Sequence, residues 1–598
     1  MMSKPTWSAD RFLSMGQQSL LALLSGALLS ISFLDAEYYF FTWIAFVPFL
    51  MAIDKTSLRR SYCLGLISGL AFCISAGYWV VDFLMLSKGY DLSLSILWSL
   101  VFWFYCAQLS ALVALIFNWL KQRSPVHEFM LFPLVMVTLY SAFPMLFTVR
   151  LGESQSQFLS AIQATEFTGV HGLDAIIALS NILLFRILVQ SFSSPPIIKS
   201  IIAKSIIAKS LTSKSPTSKS PTSTSLISNL RLTLTCRTNL LAATPIIVWF
   251  TFGINATPAW DTKIKQWETI RFGIVQPNET PSLENSKPYP GYSRAYPPEM
   301  AMTERLAEAG AEVVIWPEAK YKAYFDQPHV RTAFQHQLKT LNTSLVFQDI
   351  EHIEGLKKNN TRQKYRTPLQ YRTPLQYNTA LMLDKDGEQL GQYQKMKRIA
   401  FGEYVPFVSD IPAIRTWVEG FFGKFLNEMA KGSSHQVFEH HKVSIIPLIC
   451  YELMFPDFVA EALAYAQSEN KPGSLLVGLS SNGWFGTTRQ PYQHVNASIL
   501  RAVENRLPLV HAVNNGPSIV ALPNGRVIFS SDYHQAGGYI VDIPYSNHAG
   551  GSFFSQYPKL FIYCVYGLLS LIIVLSSGRV KQTLNVINIA GRKGYEHR

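Results

Sequence analysis

The sequence is poor in charge. Only 15 % of its 598 residues are Asp, Glu, Lys or Arg, and 48 % are apolar; an average soluble protein carries roughly 25 % charged residues. That shortfall disfavours a disordered or purely soluble chain and points to a membrane. Cysteine is scarce as well. Cys63, Cys73, Cys106, Cys236, Cys450 and Cys564 form no CxxC pair, and most lie in or beside apolar runs. This spacing offers neither a disulfide framework nor a zinc site. Phosphate-loop and dinucleotide fingerprints are missing. So is a GxSxG elbow, since Gly478-Leu479-Ser480-Ser481-Asn482 lacks the second glycine. Acid is in deficit, with a net charge of +13. Seven of the cations (Lys199, Lys204, Lys209, Lys214, Lys219, Arg231 and Arg237) fall in 193–240, which holds no acid. The basic balance is partly local and gives no reason to expect nucleic acid as a partner.

What the chain has instead is long apolar runs. Seven precede residue 257, at 19–34, 38–53, 62–86, 93–119, 128–148, 171–191 and 240–256; an eighth spans 558–576. Most approach the ~20 residues that cross a ~30 Å hydrocarbon core, and the shorter ones gain length from their flanks. The first is expected to remain in place, because it has no convincing small-residue cleavage site and a second run follows at once. Lys and Arg in the short loops set the orientation. With Lys4 and Arg11 in the cytoplasm, the next inside loops hold Lys55, Arg59 and Arg60, then Lys121 and Arg123. The stretch 193–240 and the tail with Arg579, Lys581, Arg592 and Lys593 also fall inside. The outside loops (Asp35 to Glu37, Ser87 to Asp91, Arg150 to Glu166) carry only Lys88 and Arg150, each beside acid. The expected fold class is a polytopic α-helical membrane protein of about eight spans carrying an α/β domain. Residues 1–256 form a seven-span membrane domain, 257–557 an extracytoplasmic domain, 558–577 a last span, and 578–598 a basic cytoplasmic tail.

Residues 193–238 read as a low-complexity cytoplasmic insertion. IIAKS repeats in tandem at 201–210, followed by SPTSK and SPTST; Ser, Thr, Pro and Lys cannot bury enough surface to order such a stretch. A second tandem, YRTPLQ at 365–370 and 371–376, reads as a tolerated loop insertion.

Within 268–545 short β-rich runs alternate with helix-like stretches near 298–310, 329–341, 456–467 and 494–505. The strand candidates are TIRFGIVQ, AEVVIWPE, TSLVFQD, TALMLD, VSIIPLIC, SLLVGLSS, PLVHAV and SIVAL. The alternation predicts an α/β domain with helix-covered sheets. Three places stand out. An apolar strand runs out into Trp316-Pro317-Glu318, where a carboxylate is sited as a general base would be. Another ends at Cys450 just before a helix, a turn expected to expose a thiol beside helix N-terminal amides that favour the thiolate. Between them, Lys395, Lys397 and Arg398 precede Glu403; a lysine there is suited to stabilise an oxyanion. Taken singly each has a plainer reading: a small core thiol, a surface turn, a solvated lysine. His440 and His441 lack a ligand set, and no metal or cofactor is expected.

The order WPE, then a lysine eight residues before the glutamate of FGEYVP, then CYE resembles the carbon–nitrogen hydrolase (nitrilase) superfamily with its Glu-Lys-Cys triad. With eight flanking apolar runs and the FGEYVPF match, the chain is similar to the apolipoprotein N-acyltransferase family within it. The resemblance covers nearly the whole chain outside 193–238 and the YRTPLQ repeat. It implies a nitrilase-like αββα sandwich at 257–557, with Glu318 as general base, Cys450 as nucleophile and Lys395, not Lys397, as the triad lysine. It places Glu403, Tyr451, Glu452 and Trp484 in support, with Gln493, His494, Arg501, Glu504 and Asn515 near the site or its surroundings. The family pattern has Pro where Ala400 stands, Asn-Asp where Ser481-Asn482 stand, and a tryptophan near Asn285. The implied reaction moves a fatty acyl chain from a phospholipid, through a thioacyl-enzyme, to the N-terminal amine of S-diacylglyceryl-cysteine in apolipoproteins, the last step of lipoprotein maturation. The implied location is the bacterial inner membrane, with the catalytic domain periplasmic, and a monomer is expected. Two other classes fit the sequence less well. An amidase acting on small amides leaves the apolar runs without a purpose. A transporter would place more ionisable residues in them than Asp82.

Overall fold

A computed structural model describes residues 13–193, 237–280, 288–318, 325–353, 375–400, 402–404, 411, 413–414, 417, 429–471, 473–547 and 550–577. The N-terminal cations Lys4 and Arg11, nearly all of the low-complexity stretch, Asn285, most of the YRTPLQ repeat and the basic tail lie outside them.

Every apolar run contains helix. Helices α1 (Met15–Leu34), α2 (Phe46–Ile53), α3 (Leu58–Ala76), α4 (Val80–Lys88), α5 (Leu92–Arg123), α6 (Glu128–Ala142), α7 (Val170–Ser193), α8 (Arg237–Ile264) and, near the end, α13 (Leu560–Ser576) account for the eight runs. Among the described residues, five helical segments are long and apolar enough to cross a membrane; α3 and α4 make a sixth if counted together, across a 55° bend. Helices α6 and α13 are shorter apolar helices. The bend opens the backbone, and the Gly77 carbonyl receives the indole N–H of Trp103 at 2.9 Å. Small residues let the helices approach closely. A Cβ on Gly69 would stand 2.7 Å from the Ala107 carbonyl oxygen, and one on Gly65 2.6 Å from that of Ser110.

Among the described residues, two six-stranded sheets follow. The strands are β1 (Glu268–Gln276), β2 (Val313–Ile315), β3 (Ser344–Ile353), β4 (Leu375–Leu383), β5 (Gln389–Gln394), β6 (Phe438–Glu439), β7 (Ser444–Ile449), β8 (Leu475–Ser480), β9 (Leu509–Val513), β10 (Ile519–Ala521), β11 (Val527–Ser530) and β12 (Gly537–Tyr545). Their orders are β12-β1-β2-β3-β4-β5 and β11-β10-β9-β8-β7-β6. In each sheet three central strands run parallel: β1, β2 and β3 in one, β7, β8 and β9 in the other. Apolar side chains of both sheets, among them Phe272, Ile315, Val346, Ile445, Leu479 and Val510, meet in one cluster. A second cluster joins the first sheet to α9 (Pro298–Glu308) and α10 (Pro328–Leu341). A third joins the second sheet to α11 (Pro456–Ser468) and α12 (Gln490–Asn505). The α/β expectation holds, and the parallel strands carry their chemistry at their C-terminal ends, where β2 and β7 run out into loops.

Candidate active site

Three strand ends converge. β2 delivers Trp316-Pro317-Glu318, with the Trp316 indole fixed on Thr303 Oγ1 at 2.8 Å. Lys395 follows β5, and its backbone N–H bonds the Asn378 carbonyl at 2.8 Å. Cys450 follows β7 and opens a tight 3₁₀ turn, Cys450–Met454. Its φ of 50° is a left-handed value that side chains disfavour. Such a turn aims the thiol away from its strand, toward the end of the facing sheet.

Lys395 Nζ lies 2.8 Å from Glu403 Oε1 and 3.8 Å from Glu318 Oε1. Asn378 Nδ2 donates to Glu318 Oε1 at 2.7 Å and to Glu403 Oε1 at 3.2 Å, so it bridges the two carboxylates. Glu403 Oε2 takes the Ile399 N–H at 2.9 Å. The Glu318 carboxylate lies near enough to the Cys450 thiol to act on it electrostatically. Burial opposes charge on Lys395, but the carboxylates of Glu403 and Glu318 outweigh it and hold the ammonium above its ordinary range. Burial first, and then the nearby charge of Glu318, push the Cys450 thiol well above its ordinary range. The sequence expectation of an exposed, readily ionised thiol is therefore corrected. Cys450 is buried, and helix α11 begins only at Pro456. The thiol rests neutral against a base.

The other expected residues divide into two groups. His494 Nε2 faces the Cys450 carbonyl at 3.1 Å, so that nitrogen carries the proton and Nδ1 accepts. Asn482 lies 3.1 Å from Nδ1; its Nδ2, otherwise without a partner, fits there once the amide is turned. Glu452 points away from the thiol and gathers four donors: Tyr393 OH at 2.7 Å and the N–H groups of Met396, Lys397 and Ile449 at 2.7, 3.1 and 2.8 Å. It ties the lysine loop to the nucleophile strand. Trp484 and Tyr451 line the same cavity as Cys450. Lys397 turns elsewhere, its ammonium over the rings of Phe455 and Phe458 at 5.3 and 5.4 Å. Gln493 lines the cavity that holds Cys450, whereas Arg501, Glu504 and Asn515 do not line it. Gln493 Nε2 reaches the Phe33 and Ala76 carbonyls at 3.3 and 3.1 Å. Arg501 and Glu504 form a fully buried pair at 2.8 Å, and Glu504 accepts the Val170 N–H. Asn515 orders Asn278 and Glu279. Ala400, at the family's proline position, bridges Tyr404.

Asn378 escaped the sequence reading, although a signal existed. It shares the face of Ala380 and Met382, which alternation turns toward the core between the sheets. A polar residue on that apolar face marks a site.

The cavity, about 460 Å³, is walled on one side by Glu318, Asn378, Glu403, Cys450 and His494. Its other wall comes from the apolar helices and their loops: Phe33, Trp79, Phe83, Phe147.

Known proteins resemble this chain in both of its parts. A sequence model for the apolipoprotein N-acyltransferase N-terminal domain matches residues 25–183, and one for carbon-nitrogen hydrolase matches residues 299–548. An apolipoprotein N-acyltransferase of Geobacter metallireducens is 26 % identical over 566 residues, covering 92 % of this chain and 93 % of that one. Another, of Rickettsia typhi, is 28 % identical over 269 residues, 44 % of this chain and 49 % of its own length. A solved amidase of the nitrilase superfamily from Nesterenkonia is 18 % identical, at a TM-score of 0.33, and covers 49 % of this chain and 97 % of that one. The class is a carbon–nitrogen hydrolase domain joined to a set of apolar, membrane-type helices. More narrowly, the chain belongs to the apolipoprotein N-acyltransferase family.

Proposed function

We propose that this chain transfers a fatty acyl group from a phospholipid to the N-terminal amine of S-diacylglyceryl-cysteine on apolipoproteins. The observation that carries the reading is the shared cavity: Cys450, Glu318 and Glu403 on one wall, Phe33, Trp79, Phe83 and Phe147 of the apolar helices on the other. A soluble-substrate amidase needs no such wall, whereas two lipid-anchored substrates do.

Glu318 takes the Cys450 proton as sulfur attacks the ester carbonyl. Lys395 Nζ, aligned by Glu403, donates to the oxyanion. The carbonyl–oxygen bond breaks, Glu318 returns its proton to the leaving oxygen, and a lysophospholipid departs from a thioester. The acceptor amine then adds to the thioester, Glu318 receives its proton, and the released sulfur regains a proton. No metal enters these steps.

The same reading sets the layout. Residues 1–256 supply seven spans, with α3 and α4 as one bent span, and 558–577 an eighth. Residues 257–557 form an αββα sandwich on the periplasmic side of the inner membrane, and 578–598 a cytoplasmic tail. Cation-rich loops such as Lys55, Arg59 and Arg60 support this orientation. The working form is a monomer. The test is complementation of a bacterium depleted of its own acyltransferase. Wild-type protein should restore growth and Cys450→Ser should not; growth with Cys450→Ser would overturn the reading.

A further inference from the structure

The turn that carries Cys450 is held from two sides. From the catalytic domain, His494 bonds the Cys450 carbonyl and four donors hold Glu452. From the other side comes the segment 143–155, which leads from α6 toward α7. There Arg150 Nη1 donates to the Met454 carbonyl at 2.8 Å. The Tyr451 hydroxyl donates to the Leu146 carbonyl, and the Phe147 ring lies 6.4 Å from that of Tyr451.

The Arg150 contact is the informative one. A carbonyl at the end of a helical turn lacks a donor from its own turn. Arg150 supplies the donor across a sequence separation of 304 residues. A buried guanidinium is costly unless it is paired, and Arg150 is 7 % exposed. Its partner is built into the same segment. Glu153 Oε1 lies 3.3 Å from Arg150 Nη1, Glu153 Oε2 accepts the Arg150 backbone N–H at 3.3 Å, and Thr148 Oγ1 accepts from Nη1 at 3.1 Å. Glu153 itself reaches the wall of the cavity that contains Cys450. A cysteine at φ 50° keeps that backbone only where its surroundings over-determine it. The Met454 end of the turn is fixed by the membrane part of the chain.

We propose that Arg150, neutralised by Glu153, is a positioning residue: it locks the nucleophile turn so that the Cys450 thiol meets Glu318 and Lys395 only when the apolar helices are docked. This rests on the acyl-transfer reading and assigns the helices a part in the chemistry beyond anchoring.

The test uses the full-length protein in detergent micelles with phosphatidylethanolamine, following thioester formation at Cys450 by mass. Arg150→Gln should slow that step about tenfold or more while the donor KM stays within about twofold, because a misaligned nucleophile costs rate and not donor binding. Arg150→Lys, which keeps a cationic donor, should recover part of the rate. Since Arg150→Gln leaves Glu153 buried without its cation, Arg150→Gln with Glu153→Gln removes both charges, and it should fold and remain slow. Wild-type rates in either Gln variant, a loss confined to KM, or no rescue by lysine would overturn the proposal. A wild-type protein that forms no thioester would instead count against the acyl-transfer reading. The clamp is then read from alkylation of Cys450 by iodoacetamide, which Arg150→Gln should slow about tenfold and Arg150→Lys partly restore; equal alkylation rates would overturn it.

Discussion

The helices of residues 15–264 and the sheets of residues 268–545 bury their side chains in different ways. The helices pack large residues such as Phe49, Phe117 and Phe132 inside, yet turn others outward: Leu97, Trp98, Val101 and Phe104 on α5 are at least half exposed. In the sheets, β7, β8, β9 and β10 are buried throughout. Apolar outward faces are stable only in an apolar solvent, so the first region is completed by lipid while the second brings its own core. Each region therefore tolerates change in different places. The first is limited by how closely backbones approach, and the second by how a few polar groups are held against an apolar interior.

The largest expected effect falls at those polar groups. Lys395→Ala should slow thioester formation by roughly 10²-fold or more, the usual loss for one oxyanion donor. Lys397→Ala, two residues away with its ammonium over Phe455 and Phe458, should change it little. The two rates, measured side by side, would reverse if the loop register were wrong.

A smaller effect tests the helices. Gly69→Ala puts a methyl against the Ala107 backbone, 2.7 Å from its oxygen and 2.9 Å from its Cα, and nothing there can give way. Overpacking of this kind costs about 1–3 kcal/mol. Gly567→Ala in α13 meets no atom within 4 Å and should be neutral or slightly stabilising. Thermal unfolding in detergent should show a lowered midpoint for the first alone; equal midpoints would contradict tight backbone contact.

The smallest effect is a pH dependence at His494 of α12, beside the nucleophile turn. Burial lowers His494 to about 4, and its bond to the Cys450 carbonyl only partly opposes this. The unfolded histidine titrates near 6.5. Between those values the unfolded state binds a proton that the native state refuses. Stability is therefore full above about pH 6.5 and falls as the pH drops toward 4, by about 1–2 kcal/mol between pH 7 and 5. Unfolding midpoints of the wild type and His494→Gln should converge over that range. Parallel curves would show that His494 does not titrate this way.

Much of the arrangement was legible in the sequence. The eight strand candidates correspond to β1, β2, β3, β4, β7, β8, β9 and β10, and the four helical stretches to α9 through α12. The four strands that went unread, β5, β6, β11 and β12, are the four sheet edges. Central strands covered on both faces read as unbroken apolar runs. Edges do not: β5 is Gln-Leu-Gly-Gln-Tyr-Gln with only Tyr393 buried, and β11 has no buried residue. Glu318, Lys395, Glu403 and Cys450 were found because each follows a recognisable local pattern. Asn378 was not, although its place on the apolar face of β4 was a signal, because the carboxylates it bridges lie 25 and 60 residues away; Arg150 was not, because the carbonyl it holds lies 304 residues away. The bend between α3 and α4 was unread for a related reason, since Trp103, which compensates for it, belongs to α5.

The central claim is that Cys450 carries the acyl group between two lipid substrates. Mass spectrometry of the full-length protein, after incubation with a phospholipid of one defined acyl chain and no acceptor, tests it most directly. The account predicts a single adduct of that acyl mass on the peptide containing Cys450, cleaved by neutral hydroxylamine and absent from Cys450→Ala and Glu318→Gln. Acyl transfer to an apolipoprotein without that adduct, or an adduct on another residue, would contradict it.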